Sequence, residues 1–227
     1  MKENKTDITI STYNNIVSEY IEYFKSKDLK GNVQFQKEID FIVSHLPYNA
    51  KILDVGTAIG DYPKYLTEKI NKNFDVIGID AAHNMIKMAT TNAPKAKFKV
   101  MDARNLNFES SYFDCILCFA TLIHLNDEDC LHTLDKFDNI LKKGGLLVIN
   151  VIEQLDKEKE TFDDEPFNPK YKTYFNKYKK DFFEKYFISK DYKILKYYDN
   201  PMFNPDQIQG DIAKSNQFSI IVKKIKG

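Results

Sequence analysis

One stretch of ten residues constrains this chain more than any other. Residues 51–60 read Lys-Ile-Leu-Asp-Val-Gly-Thr-Ala-Ile-Gly. The run from Ile52 to Val55 is short and apolar, and Asp54 is set inside it. It breaks into a turn of small residues, Gly56 to Gly60, and a helical pattern follows, with Tyr62, Tyr65, Leu66 and Ile70 on one face. Strand, glycine turn and helix in that order make a βα corner of the kind that binds nucleotides or cofactors. Gly56 permits a tight turn without a Cβ, Gly60 lets the helix start close to the strand, and the helix N-terminus offers unpaired N–H groups.

The side chains of the corner narrow the ligand. A phosphate loop needs Gly-Lys-Ser/Thr, but Gly60 is followed by Asp61 and Tyr62. A dinucleotide fingerprint needs G-x-G-x-x-G, and the spacing here is G-x-x-x-G, which argues against a nicotinamide dehydrogenase. Asp54 repels pyrophosphate and suits a cation. The stretch resembles motif I of the class I methyltransferases that use S-adenosylmethionine (SAM), a sulfonium with an ammonium group. The motif runs acid-x-G-x-G-x-G, and the one departure is Ala58 at the middle glycine. The resemblance implies that Asp54, Gly56, Thr57, Ala58 and Gly60 surround the cofactor, with slightly less room near its methionine end.

Further along, apolar runs end repeatedly in groups that fit the same reading. Residues 75–80 end in Asp80, 20 residues past Gly60, where an open α/β sheet places a ribose-binding carboxylate. Lys97 to Met101 is followed by Asp102, and Phe113 to Phe119 forms a fourth strand. Asp127 to Leu141 reads as a helix with Leu131, Leu134, Phe137 and Leu141 inward, and Leu146 to Ile152 as a fifth strand. Strands separated by helices predict a parallel sheet with right-handed crossovers. The resemblance spans roughly residues 35–152. It implies that Asp80 bonds the ribose hydroxyls, that Ala81 and Met85 pack on adenine, that Asp102 and Ala103 meet its amino edge, and that Phe119 and Ala120 lie under the methionine moiety.

The exit of the fourth strand limits the acceptor. It reads Phe-Ala-Thr-Leu over 119–122, not the Asn/Asp-Pro-Pro-Tyr of enzymes that methylate exocyclic or amide nitrogens, and Cys118 lacks the preceding proline of cytosine-carbon methylation. Cys115 and Cys118 alternate to opposite faces and are expected as core thiols. His124 stands in the family's x-x-H-x segment; it is either a base for an acceptor proton or a structural histidine bonded to loop backbone. His83 and His132 are expected to face solvent.

Before the sheet, Ser11 can cap a helix carrying Ile16, Val17, Tyr20, Ile21 and Phe24; a linker with Gly31 follows, and a second helix runs from Gln34 to Leu46. These helices are a lid over the cofactor or ordinary packing helices. After Ile152 the composition shifts. Residues 153–165 hold seven acids and two lysines, and 170–196 hold nine lysines and three acids. The acidic block reads as a mobile insertion. A helix over 181–187, a strand over 192–198, a loop with Pro201 and Pro205, and a strand over 218–222 predict an antiparallel hairpin at the sheet edge. This region resembles that of small bacterial methyltransferases. Tyr13, Tyr20, Tyr171 and Tyr174, with Phe175, are candidates to line an acceptor pocket or are core aromatics.

Together these features predict a single α/β domain over 1–227, with a Rossmann-like, doubly wound sheet of seven strands. Its parts are N-terminal helices (1–47), cofactor core (48–152), insertion (153–180), and C-terminal helix and hairpin (181–227). Lysine plus arginine equals aspartate plus glutamate at 33 each, so no net field draws the chain to nucleic acid or an anionic membrane. Three cysteines fit a reducing cytoplasm, and no apolar N-terminal run reads as a signal peptide. The expected reaction is methyl transfer from SAM to an oxygen or nitrogen of a small molecule, with no metal, by a monomer or homodimer. The alternatives are an RNA methyltransferase using 170–196 as a basic, stacking surface and a non-catalytic SAM-binding regulator.

Overall fold

The apolar runs that end in acids form the centre of a seven-stranded sheet in the computed structural model, which describes residues 4–25, 33–155, 157–201 and 216–226. The strands are β1 (Lys51–Val55), β2 (Asp75–Asp80), β3 (Lys97–Val100), β4 (Phe113–Phe119) and β5 (Leu141–Ile152), followed by β8 (Tyr192–Pro201) and β9 (Asn216–Lys224). Their order is β3-β2-β1-β4-β5-β9-β8. The first five are parallel, and β9 runs antiparallel between β5 and β8. The order reverses between β1 and β4, and the crevice outside their carboxyl ends is where such sheets bind ligands.

Strand alternation sends the core to both faces. Ile52, Cys115, Leu117 and Val148 pack against α3 (Val33–Ser44) and α4 (Asp61–Glu68). Leu53, Ile116, Cys118 and Ile149 pack against α6 (Asp127–Ile140) and α7 (Lys180–Ser189). The two cysteines therefore lie on opposite faces, as their spacing requires. One helix face departs from expectation. In α6, Cys130 takes the inward position and Leu131 is 38% exposed. His83 and His132 are exposed.

The N-terminus is not one helix capped at Ser11. Asn4 is the cap, its side chain accepting from the Thr6 N–H, and α1 spans Lys5–Asn15 with Ser11 exposed inside it. The chain breaks at the fully buried Ile16 and resumes as α2 (Val17–Lys25). Val17, Tyr20 and Ile21 of α2 then cover Ile59, Ala82 and Met85, over the carboxyl ends of β1 and β2. The Gly31 linker and the loop between Pro201 and the last strand fall mostly on 26–32 and 202–215, outside the described residues.

The acidic block also differs from expectation. Residues Glu160–Glu165 form β6, paired antiparallel with β7 (Asn168–Asn176) in a separate ribbon between β5 and α7. The other edge of β7 meets α1. Thr12 Oγ1 donates to the Lys172 carbonyl at 2.7 Å, and the Tyr174 N–H donates to Thr9 Oγ1 at 3.0 Å. One turn earlier, Thr6 Oγ1 donates to the His124 carbonyl at 2.8 Å. Threonines at i, i+3 and i+6 share one helix face, so Thr9 and Thr12 satisfy backbone groups that the ribbon edge would otherwise leave open, and Thr6 ties the same face to the turn after β4.

Candidate active site

The glycine corner forms because its backbone enters the left-handed region three times: Gly56 at φ +71°, Ala58 at φ +46° and Gly60 at φ +81°. Ala58 occupies the middle position in a conformation that L residues rarely adopt. It is held there by its N–H, which donates to Asp80 Oδ2 at 2.9 Å. A Cβ on Gly56 would lie 1.9 Å from Thr121 Oγ1. Thr121 follows β4 and donates to the Val55 carbonyl at 2.9 Å, so it ties the two strand exits together at the switch point. Sequence reading passed over Thr121, because only the pairing of β1 with β4 reveals its role.

Asp54 is buried at the end of β1, and Asp80 is half-buried at the end of β2. Asp54, 2% exposed, accepts from Thr57 Oγ1 at 2.6 Å; Asp80 accepts from the Ala82 N–H at 2.8 Å as well as from Ala58. Neither has a cationic partner among the described residues. Burial pushes Asp54 up to about 7 and Asp80 up to about 6. Ala82 and Met85 are buried beside them, Ala81 is half-buried, and Phe119 stacks on Tyr62 at 4.5 Å. Ala120, like Ala58, has a positive φ, +50°.

Asp102 is arranged differently. It caps the short turn over Ala103–Asn105 through the Arg104 N–H at 2.8 Å, and both its oxygens accept from the Arg104 guanidinium. The same guanidinium reaches Asp7 of α1 at 2.7 Å. The carboxylate named for the adenine edge thus also anchors the N-terminal helix. Ala103 is buried beside it.

His124 sits where α1, the ribbon and the β4 exit meet. Its Nδ1 lies 2.8 Å from the Tyr174 carbonyl, and its Nε2 lies 3.3 Å from the Tyr13 hydroxyl. A carbonyl only accepts, so Nδ1 carries the proton and Nε2 presents a lone pair. Burial lowers the imidazole to about 4, so it is neutral at pH 7. The reading of His124 as a histidine bonded to backbone matches the Nδ1 contact, and Nε2 accepts from the Tyr13 hydroxyl. The ring also lies 5.3 Å from Phe175.

The four tyrosines part company. Tyr13 joins His124, and Tyr20 packs at 5.3 Å on Phe167. Tyr174 contributes its backbone to the site, while its ring lies under the Lys5 ammonium at 5.1 Å. Tyr171 is half-buried where the β6–β7 register shifts, without a hydrogen bond or ring contact to the other three. Glu165, which sequence reading missed, is 1% exposed on the same ribbon.

Comparison with known proteins bears on the same stretch. The sequence model of a methyltransferase domain matches residues 52–145, the stretch that carries the corner and the acid-ended strands. Over this stretch the chain carries a methyltransferase domain, consistent with the class I SAM-dependent family. It is 33% identical over 123 residues to phosphoethanolamine N-methyltransferase 3 of Arabidopsis thaliana, covering 52% of this chain and 24% of that one. The chain thus spans about a quarter of that plant relative. A protein of Invertebrate iridescent virus 6 that carries a methyltransferase name is 28% identical over 223 residues, 96% of this chain and 70% of its own. A SAM-dependent methyltransferase from Methanosarcina mazei shares the fold, with a TM-score of 0.71, 20% identity, and coverage of 82% of this chain and 98% of that one.

The chemistry of this corner suits a sulfonium donor. Buried carboxylates without cations are costly, and a positively charged ligand offsets that cost. Replacing Asp80 by alanine weakens SAM binding by about 1.5–3 kcal/mol, the scale of hydrogen bonds to a charged group. In the parent protein a similar loss develops with acid. Asp80 ionises near pH 6, so SAM affinity rises as pH increases through 6 and falls about tenfold one pH unit below it. Without the donor, ionising these acids opposes the fold, so their contribution to stability falls as pH rises from the ordinary carboxylate range toward 7. One calorimetric series, parent and variant from pH 5 to 8, checks both; an unchanged affinity in Asp80→Ala reduces Asp80 to a cap.

Proposed function

We propose that this protein methylates an oxygen or nitrogen of a small molecule, with SAM as donor. The observation that carries the reading is the His124–Tyr13 pair: a buried, neutral imidazole whose Nε2 faces a tyrosine hydroxyl at 3.3 Å, beneath the N-terminal helices that cover the cofactor corner. When bound, the donor supplies an electrophilic methyl group and is left as the neutral thioether S-adenosylhomocysteine. The chain's own residues then have two tasks. The acceptor must be held in line and out of water. Its departing proton must find a base, and Nε2 takes it, directly or through the Tyr13 hydroxyl, before passing it to solvent.

Enclosure supports a small acceptor over RNA. Five of the nine lysines of 170–196 are already paired with carboxylates: Lys172 with Asp164, Lys177 with Glu158, Lys180 with Asp199, Lys185 with Asp181 and Lys190 with Asp135. The test follows S-adenosylhomocysteine release with panels of small amines and alcohols and, separately, with total tRNA. Release with a small acceptor is expected. Release only with RNA overturns the reading, and tight SAM binding without release on any acceptor favours a SAM-binding regulator.

A further inference from the structure

Glu165 is the buried carboxylate that the proposed chemistry leaves unused. It ends β6, where β6 and β7 turn about each other, and it is 1% exposed. Its hydrogen bonds come from the Thr173 hydroxyl and, at 3.4 Å, from the Phe167 N–H. The second is long, and among the described residues no cation meets the carboxylate. An ionised carboxylate has room for about four donors. Taken from water with two donors and no counter-charge, it is expensive to keep, and burial raises its pKa accordingly.

Its surroundings are aromatic and face the acceptor side. Phe167, two residues on, contacts Tyr20 at 5.3 Å and Tyr23 at 4.9 Å. Thr173, its hydroxyl partner, lies beside Tyr174, whose carbonyl orients His124, and Phe175, whose ring meets His124. Burial raises the pKa of the Tyr13 and Tyr20 hydroxyls, and the charges of Glu165 and Asp80 raise them further. Among the described residues, the acidic groups that bear on those two hydroxyls are the carboxyls of Glu165, Asp80, Asp61 and Asp54. Phosphate or carboxylate on an acceptor would be repelled there, whereas an ammonium gains a counter-charge and the faces of electron-rich rings.

We propose that Glu165 is the acceptor anchor and that the acceptor is a positively charged amine, its ammonium held by Glu165 among the rings of Tyr13, Tyr20 and Phe167. This rests on the small-molecule methyltransferase reading and adds the charge class of the acceptor. Glu165 thereby selects the acceptor; one proton leaves the ammonium through Nε2 of His124 to solvent, the freed nitrogen lone pair forms the nitrogen–methyl bond as the sulfur–methyl bond breaks, and the methylated ammonium keeps its charge.

The experiment separates the anchor from turnover. Tetramethylammonium, a permanent cation that cannot be methylated, and tert-butanol, a neutral molecule of similar size, are titrated into the complex with S-adenosylhomocysteine. Parent protein is expected to bind the cation at least tenfold more tightly than the alcohol, and Glu165→Gln, which keeps an acceptor for Thr173, is expected to lose that preference with its melting temperature nearly unchanged. The comparison of the two probes in the parent needs no variant. Equal binding of both probes, or a preference that survives in Glu165→Gln, overturns the anchor. Turnover is measured alongside with ethanolamine and ethylene glycol. Cation binding without methyl transfer to any acceptor overturns the enzymatic reading and leaves Glu165 as a cation site; transfer that favours the glycol overturns the anchor and leaves the methyltransferase.

Discussion

A His124→Asn variant transfers methyl groups about 10²–10⁴-fold more slowly than the parent, the usual contribution of a positioned acid–base group. Asparagine suits the test because its side-chain N–H can take over the bond from Nδ1 to the Tyr174 carbonyl. What it removes is the lone pair that Nε2 presents to Tyr13. The loss falls on kcat, and SAM affinity stays within about twofold, because His124 is not among the groups that hold the donor. Tyr13→Phe, which leaves the imidazole in place, costs less. A threefold or smaller change in kcat for His124→Asn, with fold and donor binding intact, returns His124 to a purely structural role and leaves the acceptor's proton to solvent.

Gly56→Ala destabilises the protein by about 2–4 kcal/mol, from the positive φ and the crowding of a core contact together. Its φ is +71°, and the new Cβ would meet Thr121 Oγ1 at 1.9 Å. For a chain of this length that lowers the melting temperature by roughly 5–15 °C. Gly144 is the internal control. Its φ is +78°, yet nothing lies within 4 Å of a Cβ built there, so Gly144→Ala carries the backbone strain alone, about 1 kcal/mol. Thr121→Ala combined with Gly56→Ala restores part of the loss, because the two side chains compete for one space. Equal melting temperatures for Gly56→Ala and Gly144→Ala would show that the loop relaxes away from Thr121.

The cofactor half of the molecule could be read from sequence because its signals are local. Apolar strands bounded by glycine or aspartate, each followed by a helical period, describe β1, β2 and β4 in terms of neighbours in the chain. The strand-end acids Asp54 and Asp80 follow from the same register. The acceptor half resisted reading for a physical reason: its order comes from long-range pairing. Thr6, Thr9 and Thr12 look like a polar surface face until β7 is placed against them. The segment from 160 to 176 is charged and broken by two prolines, with little apolar alternation over β6, so its ribbon was not recognised. Glu165 was hidden in an acidic block, where one carboxylate looks like any other. Ser11 was chosen as a cap by residue type, whereas Asn4 has the geometry.

The seam between α1 and β7 is built of hydroxyls where a helix of this kind more often offers methyl groups. Two hydroxyl bonds to β7 and one to the His124 carbonyl, at about 1 kcal/mol each, add to the Arg104–Asp7 pair that also holds the helix. Hydroxyl bonds are directional where methyl contacts are not, so the row fixes how α1 sits along the ribbon. The same stretch of chain brings the Tyr13 hydroxyl to His124 Nε2, so that placement sets the distance between them.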